Sequence, residues 1–147
     1  MKKELSFLLI CVYFSSGCGT LGGFEPIYFD CNKNQVSEEI DSFYLKHSEY
    51  RIPNKWKNFD DWDKRGYDFL DGRIFYFLKP PEEMYYVTFV GDSAFQSSNS
   101  PINMSIRGIS KGHPKWLLNE DLTEVEIKRI NERFRVEILS KINCFHH

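Results

Sequence analysis

The chain has 147 residues, with 19 Lys and Arg against 21 Asp and Glu, a formal charge of −2, 41% hydrophobic residues and 27% charged residues. That length suits one compact domain, and the near-neutral balance excludes the clustered basic surface a phosphate backbone requires, so no nucleic-acid partner is expected. Thirteen Phe, eight Tyr and three Trp exclude a disordered chain, which is poor in the aromatic surface that drives burial.

Lys2 and Lys3 open the chain, an apolar run follows over residues 5–14, and the small residues Ser15-Ser16-Gly17 lead into Cys18. Charge, apolar stretch and small residues in that order make a secretory signal. The run is too short to span a bilayer, which takes about 20 apolar residues. Ser15-Ser16-Gly17-Cys18 resembles the lipobox of bacterial lipoproteins, a resemblance confined to residues 1–18. It implies that residues 1–17 are a signal peptide cut off before Cys18 and that the Cys18 thiol carries a diacylglycerol. It further implies acylation of the new amino terminus, with chains such as palmitate, and a partner in the membrane itself. Two or more acyl chains hold far better than one, because each buried methylene contributes about 0.8 kcal/mol. The second residue after the cysteine is not Asp, which by resemblance to enterobacterial lipoproteins implies the outer membrane, facing the periplasm. An ordinary secretory signal, or an uncleaved buried segment, is the alternative reading of the same residues.

Gly19-Thr20-Leu21-Gly22-Gly23 reads as a flexible tether, so residues 18–26 are expected to form the lipidated cysteine and its linker, and residues 27–147 a single domain. Loss of residues 1–17 removes Lys2, Lys3 and Glu4 and leaves a mildly acidic body of 17 basic and 20 acidic residues. It also removes Cys11. With Cys18 acylated, Cys31 and Cys144 remain as an even pair in an oxidising compartment, where a disulfide between them is expected; two independent buried thiols are the alternative. A bridge would bring the two ends of the domain together, with α-carbons within about 7 Å.

Along the domain, Ile27-Tyr28-Phe29 is a short apolar run before Asp30, consistent with a strand end. Ser37 can cap a helix running to about Ser48, with Glu38 and Glu39 at its positive end and Ile40, Phe43, Tyr44 and His47 on one face. Pro53 closes this region. The segment 54–72 mixes aromatic residues with Asp and predicts a short helix near Lys55–Lys64 and a turn at Gly66. The runs 73–78 and 84–90 are dense in β-branched and aromatic residues, separated by Pro80-Pro81-Glu82-Glu83, and predict an antiparallel hairpin. A loop is expected over 91–101. Then Ile102, Met104 and Ile106 alternate with polar residues as a third strand with one wet face. Gly112-His113-Pro114 ends it. Thr123 and Glu126 make a capping box, opening a long helix with Ile127, Ile130, Phe134, Ile138 and Ile142 on one face. The sum is an α+β domain: a small three-stranded antiparallel sheet, with an N-terminal helix and a long C-terminal helix packed on it.

No catalytic constellation can be assembled from linear spacing, and no phosphate loop or nucleophile elbow is present; the domain is read as non-catalytic, with no cofactor. Asp61, Asp63 and Gly66 fit the first, third and sixth places of a calcium loop, but Arg65 and Gly72 stand where the fifth and twelfth ligands belong. His146 and His147 read as a tail and not as a metal site. Glu82 and Glu83 read as solvation of a hairpin tip. The aromatic surplus is the feature with a functional leaning, since exposed Tyr and Trp mark protein interfaces and can stack on sugars. Trp62, Tyr67, Tyr76, Tyr85 and Trp116 are the candidate ligand-binding residues. The leading expectation is therefore a lipid-anchored envelope protein that binds another envelope protein. The alternatives are a glycan or small ligand held in a Trp/Tyr groove, and a small envelope hydrolase.

Overall fold

The computed structural model describes residues 24–113 and 115–145. The expected signal peptide, Cys18, the expected tether up to Gly23, and His146 and His147 lie outside the described residues.

The fold is α+β, with helices on an antiparallel sheet, but the sheet has four strands and not three. In chain order the elements are β1 Ile27–Tyr28, α1 Lys33–Lys46, β2 Gly72–Phe77, β3 Glu83–Phe89, the short α2 Ser93–Gln96, β4 Asn103–Ser110 and α3 Glu124–Glu137, and the strand order is β1-β4-β3-β2. The additional strand is β1, which pairs Ile27 with Met104 and Tyr28 with Asn103 at the sheet edge. The expected hairpin is β2–β3, in register Phe75 opposite Tyr85 and Phe77 opposite Glu83.

Between β3 and β4 the register slips: Tyr86 faces Gly108 while Val87 faces Ile106, so Arg107 is the extra residue of a β-bulge. The bulge resets the alternation. Met104 and Ile106 face the helices by period two, and Ile109, three places on, rejoins them in the same core. The expected wet face of β4 is only partly present: Asn103 and Arg107 are half-buried, whereas Ser105 and Gly108 are buried, and Trp62 of an aromatic layer on the side away from the helices lies against Gly108.

On the helix side, Phe75 sits between the two long helices, stacked on Tyr44 of α1 at 5.3 Å and edge-on to Phe134 of α3 at 5.1 Å. Val36, Ile40, Phe43 and Tyr44 form the buried stripe of α1. This helix starts earlier than Ser37. Asn32 caps it, accepting from the Gln35 amide while Gln35 accepts from the Asn32 amide. Asn is as good a cap as Ser, and a cap with Gln three residues later satisfies two orphan amides at once. The Thr123–Glu126 box opens α3 as predicted. That helix stops at Glu137, and a 3-10 turn, Leu139–Lys141, carries the chain on, with Ile138, Leu139 and Ile142 still buried.

The two ends are tied together. Cys31 and Cys144, 113 positions apart, are at disulfide distance with α-carbons 5.5 Å from each other. Beside them Asp30 donates its amide to the Cys144 carbonyl at 2.9 Å, and Ile102 donates to the Cys31 carbonyl at 3.0 Å. The packed body reaches forward to Phe24, which is 3% exposed within the main core, three residues ahead of the expected boundary at 27. Among the described residues, no helix is long and apolar enough to cross a membrane.

Candidate functional site

The segment between α1 and β2 builds the aromatic layer. Where one short helix was expected near residues 55–64, two 3-10 turns form, Asn54–Phe59 and Asp63–Arg65. Each is too short to carry a helical stripe, so each delivers one tryptophan to the sheet: Trp56 from the first, and Trp62 at the entrance of the second. Gly66, at φ 85°, reverses the chain as predicted, and the turn lays Tyr67 edge-on against Trp62 at 5.4 Å. Trp62 stacks on Tyr86 of β3 with centroids 4.1 Å apart and planes 13° from parallel, and Trp116 closes the group 5.1 Å from Trp62. The Trp116 indole donates to the Phe59 carbonyl at 2.9 Å.

The structure thus brings four of the five singled-out residues together, Trp62, Tyr67, Tyr76 and Trp116. Tyr85 lies on the opposite face, among Phe77 and Phe134, because adjacent strand residues point to opposite sides. Trp62, Tyr76 and Trp116 are buried, Tyr76 meeting Trp56 edge-on at 5.5 Å; Tyr67 is half-buried, next to exposed Phe69.

Gly72 is the pivot of this packing. A β-carbon there would lie 2.7 Å from the Cζ and hydroxyl oxygen of Tyr86. Gly72→Ala is expected to displace the Tyr86–Trp62 stack, lowering stability by about 1–3 kcal/mol as overpacking does. Urea unfolding measures the loss, and a changed near-ultraviolet circular dichroism spectrum reports the moved rings.

Beside the stack opens a cleft of about 340 Å³, lined by Trp62, Tyr86, Tyr44, Gly72, Asp60, Asp63, Arg51 and Arg73, with Ile52, Leu70 and Ile74. Of these only Trp62 is among the candidate ligand-binding residues read from the sequence. The charged residues come from separate segments, and linear spacing gives no sign that they meet. Burial, with the neighbouring charges of Asp63 and Asp60, pushes the Tyr86 hydroxyl up to about 12. Burial, with Asp63 and Asp61 nearby, also raises the Asp60 carboxyl. Asp61 itself pairs with Arg65 at 2.9 Å. Among the described residues, no group of three or more His, Cys, Asp or Glu side chains could hold a metal ion.

A second polar feature lies at the hairpin tip on the helix side. Glu83, expected to be a solvated turn residue, is 0% exposed. Arg129 grips it with two bonds of 2.6 and 3.0 Å, Arg133 adds one at 3.3 Å, and the Tyr85 hydroxyl donates at 2.9 Å. Arg133 also donates to the carbonyls of Pro81 at 2.6 Å and Lys79 at 2.7 Å and to Glu137 at 3.0 Å, while its guanidinium lies 4.7 Å over the Phe77 ring. The buried Glu83 carboxylate is met by donors from two helix residues and its own strand neighbour, so this is a clamp that fixes the hairpin on α3. Glu82, by contrast, is half-buried at the tip and is held by Lys55 and the Tyr76 hydroxyl.

Comparison with protein families, with curated proteins and with solved structures finds no match to this chain.

Proposed function

We propose that this chain is a lipid-anchored protein of the bacterial cell envelope, acylated at Cys18 and held at the outer membrane facing the periplasm. In this reading its α+β body acts by binding, not by catalysis, and its partner is another envelope protein. The observation that supports it best is the Cys31–Cys144 pair at disulfide distance, since such bridges persist in oxidising compartments and are rare in the cytosol. The short stretch of residues 19–23 between Cys18 and the buried Phe24 would keep the domain close to the bilayer, because five residues reach at most about 18 Å. A second reading, a small ligand bound by the domain, is favoured by the cleft beside Trp62.

Cell fractionation and crosslinking test the proposal. The native chain is expected in the membrane fraction, crosslinked in intact envelopes to one discrete protein, and Cys18→Ser is expected to leave the membrane fraction and lose that crosslink. Membrane retention of Cys18→Ser would contradict the anchor. A native chain that crosslinks to nothing specific would contradict the protein partner.

A further inference from the structure

The cleft beside the Trp62–Tyr86 stack has two ends of opposite charge. Arg73 and Arg51 are the cations that act on the Tyr44 hydroxyl, whereas Asp63 and Asp60 are the acids that act most on the Tyr86 hydroxyl, with Arg107 opposing them. Of these seven residues, all but Arg107 line the cleft. The carboxylates of Asp60 and Asp63 have no ion-pair or hydrogen-bond partner among the described residues. At the other end, Arg51 spends one N–H on the Tyr44 carbonyl, and Arg73 spends one terminal nitrogen on Asp71 and the Gly72 carbonyl. Each guanidinium has five N–H donors in all, so both retain donors for a ligand.

An independent observation lies in the wall of the cleft. Trp62 is 6% exposed, lines the cleft, and its Nε1 is buried without any acceptor. A buried indole N–H is ordinarily bonded, as Trp116 shows in the same layer. The missing partner is an acceptor. A ligand carrying both a hydrogen-bond acceptor and opposite charges at its two ends would answer all three features.

We propose that this cleft binds a small zwitterion of amino-acid or short-peptide type, with its ammonium group set against Asp60 and Asp63 and its carboxylate against Arg51 and Arg73. The volume lies within the range of small-ligand sites, roughly 300–1,000 Å³. The assignment rests on the reading of the domain as a binding module, and it names the ligand class of this one cleft.

The test uses three probes on the protein as isolated from its cell: glycylglycine, N-acetylglycylglycine, which lacks the ammonium, and glycylglycinamide, which lacks the carboxylate. Calorimetry gives affinity, and the indole N–H resonance of Trp62 in a proton–nitrogen correlation spectrum reports the site. Glycylglycine is expected to saturate and to move that resonance, and each capped analogue is expected to bind at least tenfold more weakly. Asp63→Asn, at an exposed position with no partner to lose, is expected to weaken glycylglycine at least fivefold while leaving N-acetylglycylglycine unchanged. Equal binding of the three peptides, or an unmoved Trp62 resonance with all of them, overturns the assignment. A Trp62 resonance moved by the neutral sugar N,N′-diacetylchitobiose but by no peptide overturns the zwitterion while sparing the binding reading.

Discussion

Arg133→Met is expected to lower stability by about 3 kcal/mol, far more than an ordinary charge change on a helix surface. The side chain is 9% exposed, and methionine keeps most of its length over Phe77 while deleting every hydrogen bond. The lost partners are the carbonyls of Lys79 and Pro81 and the carboxylates of Glu83 and Glu137. Only Glu83 among these partners is fully buried, and breaking a buried ion pair from one side costs about 3–5 kcal/mol, whereas the carbonyls of exposed Lys79 and Pro81 can turn to water. Arg129 and Tyr85 still hold Glu83 in the variant, which places the expected loss at the low end of that range. Arg133→Lys should recover little, because one ammonium cannot span two carbonyls and two carboxylates as the planar fork does. The coupling to Glu83 is measurable separately: on a Glu83→Gln background, Arg133→Met should be less damaging by about 1 kcal/mol or more. Chemical denaturation of the four proteins checks both statements, and a strictly additive cycle would refute the clamp.

Replacing both Cys31 and Cys144 by alanine is the second large effect. The bridge closes a loop of 113 positions, and chain-entropy arguments assign about 4.7 kcal/mol to a loop of roughly 100 residues, with native bridges in small domains contributing about 2–5 kcal/mol in practice. The hydrogen bonds from Asp30 to Cys144 and from Ile102 to Cys31 run through backbone groups that alanine retains. The loss should therefore fall mainly on the unfolded state and not on the packing of the ends. A thermal midpoint lower by on the order of 10 °C is expected. The same drop should follow from a reducing agent added to the native protein, and reductant should leave the double variant unchanged.

What the sequence conveyed about this fold depended on how local each signal was. The β2–β3 hairpin, the Thr123–Glu126 box and the Gly66 reversal each rest on a few contiguous residues, and each stands in the structure. The cysteine pair was legible through the expectation that Cys11 is removed and Cys18 acylated, which leaves Cys144 as the partner of Cys31. β1 was visible as Ile27-Tyr28-Phe29, but two residues of strand have no periodicity, and only their pairing with β4 makes them the fourth strand. Asn32 lost to Ser37 as the expected cap because the acidic pair after Ser37 mimics a helix start, whereas the decisive Asn32–Gln35 exchange is equally short-range.

The site was harder to read than the fold. Trp62 and Tyr67 were recognisable as a cluster, but the cleft that Trp62 borders is completed by Arg51 from the segment after α1 and by Arg73 and Tyr86 from two strands. The Glu83 clamp was hidden for a related reason. An acidic pair after two prolines looks like turn solvation, and only the i, i+4 arginines of α3, 46 and 50 residues further on, show that one of the two is buried. The wet face expected of β4 is narrowed by a similar non-local event, since Trp62 folds back over the strand at Gly108 while Asn103 and Arg107 stay half-buried.

The intact mass of the protein extracted from membranes tests the central claim most directly. The account predicts a species that lacks residues 1–17, is heavier than the remaining chain by a diacylglycerol and a further acyl group, and is lighter by the two hydrogens lost when Cys31 and Cys144 join. An unprocessed chain of full length with free thiols at Cys31 and Cys144 would contradict it.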